Sequence, residues 1–479
     1  MTALHDLSVV EQAAAIAAGQ LSPVELTEHY LDRIGRLDGQ VGAFVTVTAG
    51  LAREQAAAAQ QAVAGHRAAR SLAGLPPLTG VPVPVKDLNM LAGVPMALGS
   101  RVFAANVADR DDNVVAALRA AGAVFTGKTA TPEFGLPCYT ETAIGPPART
   151  PWDLSRSAGG SSGGAAAAVA AGLAPAAQGS DGGGSIRIPA SACGLFGLKP
   201  SRGRVSGGPV SPDLSGLVTN GPITRTVADA ALLLDVMAGN HPGDMYTQPP
   251  LAAGESFLAC ASREPGRLSI ARTLGTVVPG ADPHPDCVAA YEQASELIAS
   301  LGHEITDIAL PFGADAMPAF ETLWYAGASL IPVADGQVGQ LQPLTRYLRE
   351  RGLALRAADL LAAEAFLQNL MRAALAGLAG YDALLTPTLA APPAPVGYFT
   401  EAGPAENFER QKRFTPWTSL YNSSGQPAVT LPLHWNAAGL PIGVMLAGRP
   451  GQEGTLISLS AQLEAASPWR GRHPPIWSA

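Results

Sequence analysis

The chain has 479 residues, of which 47% are hydrophobic and only 15% are charged, and it contains 53 glycines and 41 prolines. This much apolar surface excludes intrinsic disorder, and so much glycine and proline, without a three-residue period, excludes a coiled coil and a collagen. The net charge of −8 gives no basic footprint for nucleic acid or for an anionic membrane.

The first 70 residues predict an N-terminal helical part. Ser22 and Glu25 form a capping box with Pro23 at the first helical position, and apolar side chains at helical spacing follow them. A second, alanine-rich helix is predicted from about Leu51 to Gly65. Composition and periodicity then predict a strand over residues 81–85, a helix over 113–121 and a buried strand over 123–126.

Residues 140–210 are rich in glycine and show almost no long amphipathic period. Beyond them, helices and strands alternate to the end of the chain. The predicted elements are a helix over 223–237 capped by Gly239, a strand over 268–271, a helix over 283–301 with Asp282 as N-cap, a strand over 303–310, a helical region over 312–380, strands over 381–387, 428–433 and 442–446, and a helix over 453–465. This alternation predicts an α/β protein.

The four cysteines are too few for a disulfide framework, and none forms a C-x-x-C pair. The N-terminus lacks a basic segment followed by an apolar one, as a secretion signal would have. The most apolar stretch, residues 165–177, is shorter than the about 20 residues that a membrane-spanning helix needs. We therefore expect a cytoplasmic protein.

Glycine is concentrated between residues 159 and 203, where it makes up 12 of 45 positions. Two serine-bearing loops lie in this window, Gly159–Gly164 and Ser180–Arg187, on either side of a small-residue helix. Glycines next to a serine allow consecutive backbone N–H groups to point into one cavity, which suits an anion or a developing oxyanion. The structural alternative is a pair of flexible turns, and two such loops close together favour the functional interpretation.

The loops leave three chemical interpretations open. Nucleotide binding needs a Gly-Lys-Ser/Thr end or a G-x-G-x-x-G entry, and neither occurs in them. A nucleophile elbow, G-x-S-x-G, matches at Ser161 and one register later at Ser162, but any GGSSGG run satisfies it and it requires a histidine base. The eight histidines stand in no recognisable motif, and none pairs with the spacing of zinc ligands. The third interpretation gives a serine a lysine as its base.

Lys86 lies in the setting that such a base requires. It follows the apolar run Val81–Val85, where burial disfavours the charged ammonium. A lysine must lose about three pKa units from ~10.4 to be half neutral at pH 7, a difference of roughly 4 kcal/mol that desolvation can supply. Without the two serine loops, the same residues would indicate an ordinary solvated lysine at position 86.

Together, these motifs resemble the amidase signature family, whose hydrolases use a Lys–Ser–Ser triad. The spacings of 75 residues from Lys86 to Ser161 and of 24 from Ser161 to Ser185 agree with the family pattern. The resemblance covers most of the chain and rests on Gly80–Asp87, Gly122–Thr129, Pro132–Phe134, Pro151–Asp153, the two serine loops, Gly197–Arg204, Gly221–Pro222, Arg225–Asp229, Leu384–Thr388, Asn422–Pro427 and Gly439–Gly443.

The resemblance implies one large α/β domain over residues 1–479, rather than the about three domains that the length allows. Its core would be a mixed, twisted β-sheet covered by helices on both faces. Within it, we expect an N-terminal helical part over residues 1–70, a catalytic core over 80–230 and a variable helical region that determines substrate specificity over 312–380.

The resemblance also implies the roles of individual residues. Ser185 would be the nucleophile, Ser161 the bridging serine and Lys86 the neutral base. The oxyanion would be held by the backbone N–H groups of Gly182, Gly183, Gly184 and Ser185. Supporting roles fall to Gly160, which would precede Ser161 through a cis peptide bond, and to Ser162, Asp181 and Arg187. For Arg187 a structural ion pair with Asp181 or a neighbour is as good an interpretation as a role in substrate binding.

A short segment between Lys86 and Ser161 in the sequence, residues 135–139, is expected to line the substrate pocket. Its apolar character favours an uncharged, aryl substrate. The expected lining residues are Gly135, Leu136, Pro137, Cys138 and Tyr139. Phe320, Trp324 and Tyr325 in the variable region are either core or substrate contacts.

The expected activity is hydrolysis of carboxamide C–N bonds, on apolar or aryl amides, with carbamate (urethane) and ester side activity and without a metal or cofactor. One alternative is an ammonia-delivering amidotransferase subunit, and the other is a Ser–His–Asp esterase that uses the G-x-S-x-G match. Ile188 stands where the glutaminyl-tRNA-forming relatives usually carry Gln, which argues against a tRNA-dependent role. The expected partner is a small amide or carbamate, with no nucleic acid and no membrane, and the protein would be a monomer or homodimer.

Overall fold

Two β-sheets organise the computed structural model, which describes residues 3–69, 71, 74–209, 213 and 215–479. The strands are β1 Phe44–Val47, β2 Val85–Lys86, β3 Gly127–Thr129, β4 Ala176–Asp181, β5 Phe196–Lys199, β6 Thr219–Thr224, β7 Ser269–Arg272, β8 Glu304–Asp307, β9 Ala383–Pro387, β10 Ala428–Trp435 and β11 Pro441–Gly448.

The α-helices are α1 Val9–Ala17, α2 Pro23–Val41, α3 Ala49–Ala68, α4 Asn113–Ala120, α5 Gly163–Ala170, α6 Arg187–Cys193, α7 Val227–Met237, α8 Phe257–Cys260, α9 Pro285–Ser300, α10 Ala316–Ser329, α11 Pro343–Leu353, α12 Ala357–Gly377, α13 Pro404–Phe414, α14 Thr418–Ser423 and α15 Glu453–Ala466. Short 3₁₀ helices lie at Leu4–Asp6, Arg101–Phe103, Glu133–Gly135, Asp335–Gln340 and Pro475–Ser478. In this described part of the chain, no helix is long and apolar enough to cross a bilayer.

The larger sheet has eight strands in the order β4-β6-β5-β10-β11-β9-β7-β8. Its first six strands pair antiparallel, and β7 pairs parallel with both β9 and β8. The smaller sheet has the order β1-β3-β2, antiparallel between β1 and β3 and parallel between β3 and β2. The mixed sheet expected from the sequence is therefore present, and a second, three-stranded mixed sheet accompanies it.

Helices cover both faces of the larger sheet, as the alternation of side chains along β11 shows. Ile442, Val444 and Leu446 pack into the hydrophobic cluster that includes α7, α9 and α15. Met445 and Ala447 point the other way, into the cluster that includes α10 and α12. Successive strand residues face opposite sides, so both faces must be apolar and covered. The predicted single-domain α/β fold is confirmed.

The start of α2 confirms the helix start and one half of the predicted capping box, whereas the described residues show no return bond from the Ser22 N–H to the Glu25 side chain. Ser22 Oγ accepts hydrogen bonds from the backbone N–H groups of Val24 and Glu25, and Pro23 occupies the first turn. These bonds satisfy two of the N–H groups that a helix start leaves without an intrahelical partner. Residues 1, 2 and 70 of the predicted N-terminal helical part lie outside the described residues.

The strand predicted over residues 123–126 is wrong. The residues that pair with neighbouring strands are those of β3, Gly127–Thr129. The run 123–126 makes only an isolated bridge, between Val124 and Pro82. Proline has no N–H to donate to a ladder, and the run Val81–Val85 contains two prolines. Regular pairing therefore starts only where the prolines end, at β2.

Two predicted helix starts are also wrong. The helix expected from residue 223 begins at Val227, because residues up to 224 belong to β6, and Thr226 Oγ1 caps it by accepting from the Asp229 N–H. The helix expected after Asp282 is capped two residues later, by His284 Nδ1. In both cases a hydrogen-bonding side chain directly before the first turn decides the start.

Candidate active site

Lys86 lies at the end of β2, where its side chain is completely buried. Its backbone N–H donates to Gln178 Oε1 at 2.9 Å, which ties β2 to β4 of the larger sheet. The Lys86 Nζ lies 2.8 Å from Ser161 Oγ, 3.0 Å from Ser180 Oγ and 3.3 Å from the Ser180 carbonyl oxygen. The lysine therefore meets one serine from each glycine-rich loop.

Burial lowers the pKa of Lys86 from 10.5 to about 7, against the opposing effect of the negative charge of Asp181. A neutral amine has two N–H donors and one lone pair. Because the two Ser180 oxygens can accept both donors, the lone pair is left to accept the proton of the Ser161 hydroxyl. This is the arrangement of a general base held ready by its surroundings.

The loop before α5 holds Ser161 against the base. The Gly160–Ser161 peptide bond is cis. A side chain at Gly160 would collide with the backbone of Tyr139, because a Cβ there would lie 2.7 Å from its N and C atoms. Ser162 is buried, with its N–H donating to the Ser185 carbonyl at 3.1 Å and its hydroxyl donating to the Ser180 carbonyl at 3.1 Å. Ser162 thus joins the two loops to each other.

The loop after β4 is folded around the Asp181 carboxylate. Asp181 Oδ1 accepts the Gly184 N–H at 2.8 Å, and Oδ2 accepts the Ile186 N–H at 3.1 Å. Gly184 has φ +125°, and a Cβ there would lie 2.5 Å from Thr418 Oγ1. Only glycine meets both conditions at this position.

A buried ion pair fixes Asp181 in turn. Arg187 binds it through both Nε (3.0 Å) and Nη2 (2.9 Å), with both side chains fully buried. Asn422 Nδ2 donates to Asp181 Oδ1 at 2.9 Å, and Asn422 Oδ1 accepts from Arg187 at 2.7 Å. Burial alone would raise the pKa of Asp181, but the Arg187 guanidinium holds it well below its usual range. The structure thus shows the ion pair for Arg187.

The backbone donors of this loop are not equivalent. The N–H groups of Gly182, Gly183 and Ser185 donate to no partner among the described residues, whereas that of Gly184 is taken by Asp181. The Ser185 hydroxyl likewise has no hydrogen-bond partner in the described part of the chain, and it lines a pocket. Two of these N–H groups belong to Gly183 and Ser185, which line this pocket, and free donors beside a free hydroxyl are what attack on a carbonyl requires.

That pocket is mostly apolar, and both predicted pocket regions contribute to it. Leu136, Pro137 and Cys138 line it, but Gly135 packs against Leu88 and Ser161, and Tyr139 backs Gly160. The other lining residues are Gly183, Ser185, Ile188, Met317, Phe320, Trp324, Phe408, Gln411, Lys412, Thr415 and Ser419. Tyr325 is not among them and packs on Phe408 instead.

The histidines that an esterase triad would need lie elsewhere. None of the eight, all within the described residues, lines this pocket or bonds to Ser161, Ser162 or Ser185. His303, for example, accepts the Leu268 N–H and pairs with Gln462. No group of three or more His, Cys, Asp or Glu side chains in the described residues could hold a metal ion. The nucleophile-elbow alternative therefore has no base at this site.

The whole chain can be compared with known proteins. It matches the family model Amidase over residues 25–457. The chain belongs to the amidase signature family. This amidase is 40% identical to the AmiB2 protein of Mycobacterium tuberculosis over 472 residues, 97% of each chain. It is 34% identical to the acylamidase of Rhodococcus erythropolis over 485 residues, 98% of each chain. The solved structure of 6-aminohexanoate cyclic dimer hydrolase superposes with a TM-score of 0.90 at 30% identity, covering 99% of this chain and 100% of that one.

The amidase is therefore an amide hydrolase with the α/β fold of its family, which confirms the resemblance and the expected reaction class. Sequence reasoning missed several residues of its site. Gln178, which holds the Lys86 backbone, carried no motif, and Asn422 was noted only as part of a similar segment. Ser180 entered the sequence analysis only as the first residue of the second serine loop, without its contact to Lys86.

Proposed function

We propose that the amidase cleaves carboxamide C–N bonds through an acyl-enzyme on Ser185, with Lys86 and Ser161 as its proton relay. The observation that carries the proposal is the contact of 2.8 Å between Lys86 Nζ and Ser161 Oγ in a fully buried setting. A lysine with a pKa near 7 is neutral for much of the time at physiological pH, so it can accept a proton without help from another base.

In the first step Ser185 Oγ attacks the amide carbon. Its proton passes to Ser161 Oγ as the Ser161 proton passes to Lys86 Nζ. The carbonyl oxygen becomes negative, and the free N–H groups of Gly182, Gly183 and Ser185 stabilise it. Removing one such donor typically lowers kcat by about 10²–10³-fold.

In the second step the C–N bond breaks and the relay runs in reverse. The proton on Lys86 returns through Ser161 to the leaving nitrogen, so the amine departs neutral. Water then attacks the Ser185 ester with the same relay as base, and the carboxylic acid and free serine are formed. The net reaction consumes one water and needs no cofactor.

The pocket supports apolar and aryl acyl groups as substrates, with carbamate and ester side activity. Its walls combine the stacked rings of Phe320 and Trp324, 5.4 Å apart, with Leu136, Ile188 and Met317. Aromatic walls favour flat apolar groups. The specificity role of residues 312–380, the cytoplasmic location and the monomer-or-homodimer state stay predictions from the sequence.

The test is a set of serine variants assayed on an acyl p-nitroanilide and an aryl carbamate. We expect Ser185→Ala to abolish turnover and Ser161→Ala to lower kcat by about 10²–10⁴-fold, as loss of a proton relay does. Ser423→Ala is the matched control, because Ser423 is a buried serine whose hydroxyl, among the described residues, bonds only to the Ser419 carbonyl. The acyl-enzyme is expected as a mass increase of the acyl group on Ser185 after rapid quenching.

Full hydrolysis by Ser185→Ala would sink the proposal. So would an acyl group found on another serine in the quenched enzyme. A p-nitrophenyl ester of the same acyl group is assayed beside them. Activity on this ester with none on the p-nitroanilide or the carbamate would contradict the proposed substrate range, because the relay would then not serve an amine leaving group.

A further inference from the structure

A chain of buried hydrogen bonds joins α13 to the wall of the pocket. The Cys138 N–H donates to Gln411 Oε1 at 2.9 Å, Gln411 Nε2 donates to Asn407 Oδ1 at 2.7 Å, and Asn407 Nδ2 donates to the Tyr139 hydroxyl at 2.8 Å. All four residues are buried, with at most 8% of each exposed. Leaving a buried donor or acceptor unpaired costs more free energy than its hydrogen bond gains. The three hydrogen bonds therefore stabilise one another.

A single backbone group sets the direction of the whole chain. The N–H of Cys138 can only donate, so Gln411 must turn its Oε1 towards it. The NH₂ group of Gln411 then points to Asn407, and Asn407 accepts its hydrogen bond through Oδ1. Both side-chain amides are thereby locked in one orientation.

The part of the wall that this chain holds belongs to no helix or strand. Residues 136–139 follow a 3₁₀ turn and lack the neighbours that a sheet would provide. Gln411 binds the backbone at Cys138, and Asn407 binds the next side chain, Tyr139, whose ring also stacks on Phe399 at 4.9 Å. A buried backbone needs partners for its polar groups, and here α13 supplies them.

The wall lies where a substrate must fit. Leu136, Pro137 and Cys138 line the pocket together with Ser185. Gln411 also lines it, and its amide oxygen and one of its two amide N–H groups are engaged by protein groups. Gln411 is therefore placed to shape the pocket.

We propose that Gln411 is a positioning residue for acyl-group selectivity: it holds the wall Leu136–Cys138 at the distance from Ser185 that a large acyl group needs, and Asn407 keeps its amide in register. The inference rests on the proposed function, which places the acyl group in this pocket. A small acyl group does not reach the wall, so its hydrolysis does not depend on Gln411.

The test compares p-nitroanilides that share one leaving group and differ in their acyl group: acetyl, hexanoyl and phenylacetyl. Gln411→Leu removes both bonds, and we expect kcat/KM to fall about tenfold for the two large substrates, with a change of less than about twofold for acetyl. Gln411→Glu retains an acceptor for the Cys138 N–H, and the Asn407 amide can turn to donate to the new carboxylate. This variant should therefore retain most of the selectivity for large acyl groups.

Gln426→Leu is the matched control. Gln426 is a buried glutamine whose amide makes two hydrogen bonds, to Ser424 and Gly448, and it does not line the pocket. We expect it to lower the Tm without changing the ratio of rates between large and small acyl groups. If Gln411→Leu does not fold, Tyr139→Phe removes a single hydroxyl from the far end of the chain and should give a smaller change of the same kind.

An equal loss on all three p-nitroanilides, in Gln411→Leu or in Tyr139→Phe, would mean that the chain is only structural and would overturn the inference. The same holds if the loss is larger for acetyl than for the two large acyl groups. The two proposals fail separately. Activity of Ser185→Ala refutes the acyl-enzyme, whereas an inactive Ser185→Ala with a uniform loss in Gln411→Leu refutes only the role of Gln411.

Discussion

Two of the buried lysines lie on neighbouring strands and have opposite surroundings. Lys86 on β2 and Lys128 on β3 are both fully buried, and the two strands pair in parallel. Lys128 Nζ lies 3.0 Å from Asp87 Oδ1, in an ion pair whose carboxylate is also buried. Lys86 contacts only serine oxygens. Its immediate sequence neighbour, Asp87, thus neutralises the other lysine.

The difference shows that the nearest partner, rather than burial alone, decides what a buried lysine can do. Burial lowers the pKa of both lysines, but for Lys128 the Asp87 carboxylate opposes the change directly. The carboxylate that acts on Lys86 is Asp181, and Arg187 already occupies it. Lys128 is therefore suited to structure, and Lys86 to accepting a proton.

The largest expected effect is on catalysis at Lys86. Lys86→Met retains the length of the side chain and removes the base, so we expect kcat to fall about 10²–10⁴-fold, the usual contribution of a general base. The Tm at pH 7 should stay the same or rise, because burying the apolar Met side chain carries no cost for desolvating a polar or charged group. Steady-state kinetics and thermal unfolding measure the two effects. A large fall in Tm would show that Lys86 is structural and break the comparison.

The next effect is on stability at Lys128. Lys128→Met leaves the Asp87 carboxylate buried without its partner, which should cost about 3–5 kcal/mol of the free energy of unfolding. Chemical denaturation measures it. In the double variant with Asp87→Asn, the unpaired carboxylate is gone, and much of the lost free energy of unfolding should be recovered. If Lys128→Met is as stable as the wild type but has lost catalysis, the roles of the two lysines are reversed.

A smaller effect is expected from pH. Only neutral Lys86 accepts a proton, so kcat/KM should rise about tenfold per pH unit below its pKa of about 7 and level off above it. A bell centred near pH 6 would contradict a lysine base.

The same group predicts a pH dependence of stability. Because the pKa of Lys86 is about 7 in the folded chain and its ordinary value is 10.5, the unfolded chain binds more protons between these values. Stability should therefore rise with pH across this window through Lys86. Lys86→Met should remove this contribution, which unfolding of both proteins from pH 7 to 10 would show.

Much of the site follows from the sequence because its chemistry depends on residues close together along the chain. The two glycine-rich loops, their serines and Lys86 carry spacings that a single sequence displays. The choice between Ser161 and Ser162 is different, since the GGSSGG run matches the elbow in two registers. The elbow pattern alone does not separate them; the family spacings favour Ser161, and the fold directs Ser161 to Lys86 and Ser162 to the Ser180 carbonyl.

Other features could not be predicted, for two physical reasons. All seven residues of α6 are buried, so this helix shows little of the one-sided apolar pattern that reveals a surface helix. The pocket wall depends on Gln411, 273 residues after Cys138, and no local pattern reports a contact at that distance. The shortening of the strand expected over 81–85 is different, because its cause is local: the two prolines in that run outweigh its apolar composition.

Under the proposed mechanism, the place of Ser161 between Lys86 and Ser185 in the proton relay has one more consequence. A neutral, desolvated amine is itself a good nucleophile, and an ester on Ser185 is a substrate for aminolysis. If Lys86 reached that ester, the acyl group would move to nitrogen and leave a stable amide inside the enzyme, which would inactivate it. With the Ser161 hydroxyl 2.8 Å from Nζ, protons can cross the gap while the acyl group cannot. Ser161 thus protects the ester on Ser185 from attack by Lys86.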